Sequence, residues 1–147
     1  MQKQKTMFKE SQATGTEDVL TSYTSAVNTT QKGAFLLAVL NGRLSEGINF
    51  SDQLGRCVMV IGLPYANPNT AEQKAKIAYI EEKAVAAGLQ AKEAAREFAD
   101  NNCMRSVNQA IGRAVRHKGD WSAILLFDAR YAQKKIQGKL PGWIRAS

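Results

Sequence analysis

The residues best suited to binding a negatively charged group lie in the segment 108–117, which the sequence predicts to be the end of a helix. At about 100° per residue, Gln109, Arg113 and Arg116 fall on one line of that helix, with the bare Gly112 beside it. The opposite side is apolar and is predicted to face a core: Met104, Val107, Ile111 and Ala114. A solvated basic face would show the same pattern, so the helix alone leaves two interpretations open.

A second candidate segment is the loop 41–52, which follows the apolar run 34–40. It is dense in glycine, small polar and charged residues: Gly42, Arg43, Ser45, Glu46, Gly47, Asn49 and Asp52. Glycines in a strand-to-helix turn let backbone N–H groups approach a phosphate, and Ser45 is placed to cap a short helix. A merely structural turn uses the same residue types, so this loop is ambiguous on its own.

The elements that must position these segments are three short apolar runs, at 34–40, 57–63 and 122–127. Separated by helical patterns, they predict an α/β fold with a mostly parallel sheet and helices on both faces. In such a sheet, the residues that bind ligands usually lie in the loops at the carboxyl ends of the strands. Residues 1–32 are predicted to be a polar connecting segment, to about Thr14, followed by a first helix that ends near Thr29. The domain itself is placed at 33–147.

Further along the chain, a helix is predicted from about Thr70 to Lys83, then a surface connection over 84–92, and a second helix from Glu93. That helix is expected to reach His117, with a break near Asp100 left open. The acid and the arginine of the segment 128–131 are expected to pair in a helical turn. A short helix is expected to start at Pro141.

Composition favours an acidic partner. The 147 residues carry a net charge of +7, with a pI near 9.6. From Asn102 onward, nine basic residues face two acidic ones, so this last third accounts for the whole excess. The two cysteines are too few for a disulfide scaffold or a cysteine-based metal site. No secretory signal or membrane-spanning run is recognisable, which predicts a soluble intracellular protein.

Several catalytic classes are excluded as complete activities of this chain. It has no Walker A loop to hold a triphosphate by itself, and no grouping of ligands with metal-site spacing. The single histidine, His117, is not accompanied by a nucleophile and an orienting acid at recognisable spacing.

The loop and the helix together resemble two motifs of the second RecA-like motor domain of superfamily 2 DNA helicases of the XPD type, the iron-sulfur group. Residues 41–50 resemble motif V, Gly-Lys-x-Ser-Glu-Gly-Ile-Asp-Phe, and residues 109–116 resemble motif VI, Gln-x-x-Gly-Arg-x-x-Arg. Arg43 replaces the lysine of that pattern and Asn49 its aspartate. Further matches lie at 55–58, 62–67, 128–131 and 139–144. The segment 47–52 and the Val-Asn-Gln around Asn108 are most similar to the Chl (ChlR) helicases of sister-chromatid cohesion.

The resemblance implies a RecA-like, P-loop NTPase-type fold, as an incomplete second motor domain. This would be the C-terminal half of an ATP-dependent DNA helicase that drives strand translocation, inactive alone because Walker A and B would lie upstream. ATP and Mg²⁺ would be bound mainly by that first domain, and an iron-sulfur cluster would belong only to the missing part. The implied partners are single-stranded or forked DNA, the upstream RecA-like domain, and cohesion or replication-fork proteins in the nucleus.

The resemblance also implies a role for each candidate residue. Arg113 and Arg116 would provide a catalytic arginine finger, Gln109 would orient water or phosphate, and Gly112 would permit close approach. The seven loop residues Gly42, Arg43, Ser45, Glu46, Gly47, Asn49 and Asp52 would couple the nucleotide to DNA. Two alternatives remain open: a truncated stand-alone module that binds nucleic acid or a partner without catalysis, and a metabolic α/β enzyme with an anionic ligand. The second does not explain motifs V and VI together.

Overall fold

The computed structural model describes residues 5–9, 15–30, 32–46 and 50–146, and of residues 45 and 46 the backbone alone. The strands in these ranges are β1 (Thr6–Lys9), β2 (Ala34–Leu37), β3 (Cys57–Ile61) and β4 (Ala123–Phe127). The α-helices are α1 (Thr16–Thr29), α2 (Arg43–Glu46), α3 (Ala71–Ala86), α4 (Ala91–Gly112), α5 (Lys134–Gln137) and α6 (Gly142–Arg145). Two 3₁₀ helices span Asp52–Gly55 and Ala129–Ala132. No helix within these ranges is long and apolar enough to cross a lipid bilayer.

The described strands form two pairs, β1 with β2 and β3 with β4. The first pair is parallel, with Thr6 opposite Ala34. The second is parallel as well, because Ala123 N–H bonds to the Arg56 carbonyl (2.9 Å) and, further along both strands, Gly62 N–H bonds to the Phe127 carbonyl (3.0 Å). Parallel strands joined through helices confirm the predicted α/β class.

The prediction that the strands are covered on both faces was wrong for β2, β3 and β4 in the described part of the chain. Alternate residues are exposed, and Ile61 and Phe127 retain 73% and 61% of their accessible surface. A continuous apolar run shows only that a strand is suited to burial. It does not show that the same chain supplies both covering layers.

By its internal contacts the chain divides into two compact units, Met1–Met59 with Ala110–Leu125, and Val60–Gln109 with Leu126–Ser147. In the first unit, α1 begins with Glu17 and Asp18 in its first turn, where carboxylates suit the positive end of a helix. Its core is formed by Val19, Tyr23, Leu44, Ile111 and Ala114, all buried.

Strand β1 corrects the prediction that the chain up to Thr14 is only a connecting segment. The Phe8 ring meets Tyr23 edge-on at 5.9 Å, and β1 pairs along its full length with β2. A four-residue strand is too short to show a period-2 pattern, and its partner lies about 28 residues away, so local sequence gives it little signal.

The second unit is mainly helical. Thr70 caps α3, its hydroxyl accepting the N–H of Gln73 at 3.3 Å. Gly88 (φ +72°) ends that helix and Leu89 N–H bonds back to the Ala84 carbonyl (2.8 Å), so the predicted connection over 84–92 is shorter than expected. Helix α4 then runs unbroken from Ala91. The core of this unit contains Val60, Leu63, Ala84, Cys103, Met104, Val107, Tyr131 and Ile136.

Candidate functional site

The helix that carries the motif VI residues ends earlier than the sequence predicts. Helix α4 stops at Gly112, so Arg113 and Arg116 lie in the turn beyond it, and the prediction of a helix reaching His117 was wrong. The physical reason is a tightening of the last turn, where the N–H groups of Arg113 and Ala114 bond to carbonyls only three residues back. The chain then leaves the helical path.

The candidate catalytic residues are divided between the two units. Gln109 is exposed near the end of α4 and belongs to the second unit, whereas the half-buried Arg113 and the exposed Arg116 belong to the first. The alignment of these three side chains on one helix face therefore does not hold beyond Gly112. Gly112 itself is exposed, and a Cβ added there would meet no atom within 4 Å. It is thus open to contact from outside the chain.

The motif V loop begins with a tight turn and a short helix. Asn41 adopts the left-handed conformation (φ +65°), and Gly42 N–H bonds to the Val39 carbonyl at 2.9 Å. Arg43 is exposed at the start of α2, and the fully buried Leu44 anchors it. Ser45 lies inside α2, so the prediction that it caps a helix was wrong: the helix starts two residues earlier. Glu46 ends α2, while Gly47 and Asn49 lie outside the described residues.

The far end of the same loop meets the segment after motif VI in a group of four side chains, which we name the Asp120 cluster: Asp52, Arg56, His117 and Asp120. The Asp120 side chain is fully buried and accepts hydrogen bonds from Arg56 Nη1 (2.8 Å) and from three backbone N–H groups. Those N–H groups belong to Asp52 (3.4 Å), Arg116 (3.2 Å) and Trp121 (2.9 Å). Asp120 therefore joins the motif V loop directly to the backbone of Arg116.

Electrostatics favour the ionised form of Asp120. Burial acts to raise its pKa, but the hydrogen bonds from the Arg56 side chain and from the backbone of Arg116, Asp52 and Trp121 together hold the pKa below its usual value. Asp52 takes a left-handed conformation (φ +53°), and its Oδ1 lies 3.2 Å from His117 Nε2. The cluster is thus a network of hydrogen-bonded side chains in which the Arg56–Asp120 ion pair is central.

The Asp120 cluster does not fit a magnesium ion. Asp52, His117 and Asp120 form the one group of three possible metal ligands found among the described residues. However, the Arg56 guanidinium occupies Asp120 Oδ1 at 2.8 Å, and a second cation there would be repelled. A histidine is also a poor ligand for Mg²⁺, which prefers oxygen.

The cysteines do not fit an iron-sulfur cluster. Cys57 is exposed on β3, and Cys103 is buried within α4. Burial raises the pKa of the Cys103 thiol to about 11, so it is poorly suited to act as a thiolate ligand.

In the second unit, Gln109 borders an open groove of about 500 Å³. The other residues that line it are Asn101, Met104, Arg105, Asn108 and Lys139. Within this lining, Asn108 Nδ2 donates a hydrogen bond to the Lys139 carbonyl at 2.8 Å and so connects α4 to the segment before α6. Its Oδ1 is buried and has no hydrogen-bond partner in the described structure.

The predicted pairing after β4 is confirmed. Arg130 donates from Nε and Nη2 to the two oxygens of Asp128, at 2.9 and 2.7 Å. These hydrogen bonds, with one from the Arg130 backbone, lower the pKa of Asp128 to about 2.

The predicted short helix after Pro141 is confirmed as α6.

Sequence reasoning missed Arg56 and Asp120 as members of the site. They are separated by 64 residues. Arg56 lies in the matched segment 55–58, which carried no site assignment, and Asp120 lies outside the matched segments. A lone arginine before a strand and a lone aspartate after Gly119 give no periodic signal. Only the fold brings them together.

Parallel strands joined through helices define an α/β domain, in which one carboxylate holds together the end of the loop 41–52 and the segment after α4. The chain belongs to the helicase C-terminal domain family, whose model matches residues 1–147.

Three relatives illustrate its similarity to individual proteins. It is 49% identical over 142 residues to the ATP-dependent DNA helicase chl1 of Schizosaccharomyces pombe, covering 95% of this chain and 17% of that protein. It is 52% identical over 143 residues to CHL1 of Coccidioides immitis (92% and 16%) and 46% identical over 157 residues to chl1 of Aspergillus fumigatus (100% and 20%). The resemblance to Chl-type helicases is confirmed, and the chain spans about a fifth of the length of these relatives.

Proposed function

We propose that this chain acts as the C-terminal motor half of an ATP-dependent DNA helicase. The observation that carries the proposal is the connection made by Asp120, whose Oδ2 accepts the N–H groups of both Asp52 and Arg116. A motor must transmit the state of its nucleotide to its grip on DNA. One buried carboxylate that holds the end of motif V and the end of motif VI provides a short mechanical path for this coupling.

The chemistry assigned to this half is charge neutralisation. Hydrolysis of ATP spreads negative charge over the γ-phosphate oxygens in the transition state, and an arginine supplied from a second domain stabilises that charge. Arg113 and Arg116 are the proposed sources, because they follow the helix end closely and are flanked by the exposed Gly112. Gln109 is proposed to orient water or phosphate.

The remaining requirements of the reaction are assigned outside this chain. The nucleotide and its Mg²⁺ are proposed to be held mainly by an upstream RecA-like domain, as is any iron-sulfur cluster, since neither the Asp120 cluster nor the two cysteines fit these groups. The proposed DNA is single-stranded or forked. By similarity to the Chl-type relatives, action in the nucleus with cohesion or replication-fork proteins is also proposed.

The test is alanine substitution of each motif VI arginine in the full-length protein that carries this domain. Arg113→Ala or Arg116→Ala should lower DNA-stimulated ATP turnover by roughly 10³- to 10⁵-fold, while binding of a fluorescent ATP analogue is retained. Arg96→Ala is a matched control, since Arg96 is exposed on α4 far from the helix end, and turnover should be unchanged. Full turnover in both motif VI variants would refute the arginine-finger assignment.

A further inference from the structure

An exposed tryptophan stands beside the Asp120 cluster with an arginine against its ring. Trp121 keeps 62% of its accessible surface, and the Arg56 guanidinium carbon lies 4.6 Å from the centroid of its ring. This is a cation–π distance, so one face of the indole is covered by a planar cation. The large remaining exposure leaves the other face available.

The arrangement is fixed in advance by hydrogen bonds. Arg56 Nη1 donates to Asp120 Oδ1 and to the Trp121 carbonyl, each at 2.8 Å, and Trp121 N–H donates to Asp120 Oδ1 at 2.9 Å. The guanidinium and the Trp121 backbone are therefore held by the same buried carboxylate, and the guanidinium in turn packs on the indole. Little conformational entropy would be lost if a flat ligand stacked on the open face.

The surroundings of this ring favour an anionic ligand. Arg116, His117 and Lys118 are exposed in the turn directly before it. Of the nearby acids, Asp120 is buried and occupied by Arg56, and Asp52 lies against His117 at 3.2 Å. Lys118 thus adds positive charge beside an exposed aromatic surface. A ring that docks a protein partner would more typically be bordered by apolar side chains, whereas its sequence neighbours here are Asp120 and Ser122.

We propose that Trp121, backed by Arg56, is a stacking platform for one base of a single-stranded nucleic acid, with an adjoining phosphate near Lys118. An exposed aromatic ring next to cations is the usual means of binding a single strand without reading its sequence. The proposal rests on the proposed function in one respect, that the chain meets single-stranded DNA. It adds a contact outside motifs V and VI.

The first test uses fluorescence of the 147-residue chain, which contains only two tryptophans, Trp121 and Trp143. In a Trp143→Phe background the signal comes from Trp121 alone. A twelve-residue oligothymidine should quench it, because a stacked base contacts the indole directly. An abasic oligonucleotide of the same length and charge should not. Equal quenching by both strands, or by neither, would overturn the stacking proposal.

The second test measures affinity by anisotropy of a labelled oligothymidine. Trp121→Ala should weaken binding by roughly 5- to 150-fold, the range seen when one stacking aromatic is lost. Trp121→Phe should keep most of the affinity, and Trp143→Ala, at a half-exposed tryptophan of α6, is the matched control that should change nothing. Circular dichroism checks that each variant is folded.

The outcomes separate this proposal from the proposed function. Unchanged affinity in folded Trp121→Ala would overturn the platform while leaving the ATPase assignment intact, because that assignment depends on turnover in the motif VI variants. Loss of turnover in those variants, together with no binding of single strands by the parent chain, would overturn the platform alone.

Discussion

The phenol of Tyr23 offers a sharp test of how the first unit holds the segment that ends the motif V loop. Its hydroxyl donates to the Leu54 carbonyl at 2.7 Å, the residue is buried, and its ring lies edge-on to Phe8 and Phe50. Tyr23→Phe removes one oxygen and keeps both ring contacts. The Leu54 carbonyl then lacks its partner, which should lower the free energy of unfolding by about 1–3 kcal/mol.

The assay is urea unfolding followed by far-UV circular dichroism. With an m-value of about 2 kcal/mol per molar urea, the expected loss moves the midpoint down by about 0.5–1.5 M. Tyr79→Phe is the matched control, because Tyr79 is 57% exposed on α3 and should leave the midpoint unchanged. The same midpoint in Tyr23→Phe as in the parent would refute the role of this hydrogen bond.

A second readout follows from titration of the same phenol. Burial raises the pKa of Tyr23 above its ordinary value of 10.0, so the folded chain holds this proton more tightly than the unfolded chain. The stability linked to the phenol is complete below pH 10 and is lost as the pH rises through the folded-state pKa. The difference in stability between the parent and Tyr23→Phe should therefore shrink above pH 10. A constant difference would contradict this linkage.

Two further perturbations test other parts of the structure. Arg130 lowers the pKa of Asp128 to about 2, so the stability linked to this carboxylate is complete above its ordinary pKa of 3.8 and is lost as the pH falls toward 2. Asp128→Asn should therefore flatten that part of an acid unfolding curve. An unchanged curve would count against the ion pair. Ile111 is fully buried in the first unit. Ile111→Ala should lower the free energy of unfolding in urea by about 2–5 kcal/mol, and Ile111→Val by about 0.5–1.5 kcal/mol. Equal losses in the two variants would contradict close packing around this side chain.

Much of the architecture was predictable because it is encoded in local patterns. Three apolar runs gave the positions of β2, β3 and β4 to within a few residues, and the acids at the start of α1 marked its first turn. The pairing of Asp128 with Arg130 was predictable since the two residues are close in sequence and opposite in charge. Family membership followed from two motifs in the right order.

The parts that sequence reasoning got wrong depend on distant partners. The sequence pattern of α4 continues past Gly112, yet the helix tightens and ends there. The chain that follows is held away from the helical path by the bond from Arg116 N–H to Asp120. Strand β1 exists because β2 lies beside it. Which faces of β3 are covered depends on layers that a run of apolar residues cannot identify. Periodicity describes what a segment is suited to, and tertiary contacts decide what it does.

The Asp120 carboxylate also has a consequence for the order of events during folding. Its contacts with Asp52 and Arg56 span 68 and 64 residues, nearly half of the 147-residue chain. Closing such long loops has a large entropic cost before any contact compensates for it, whereas the turns of α3 and α4 are made by hydrogen bonds between residues close in sequence. We therefore expect the ends of motif V and motif VI to become ordered in one late step, after the helices. A chain emerging from the ribosome would have no connection between these motifs until residue 120 had been made.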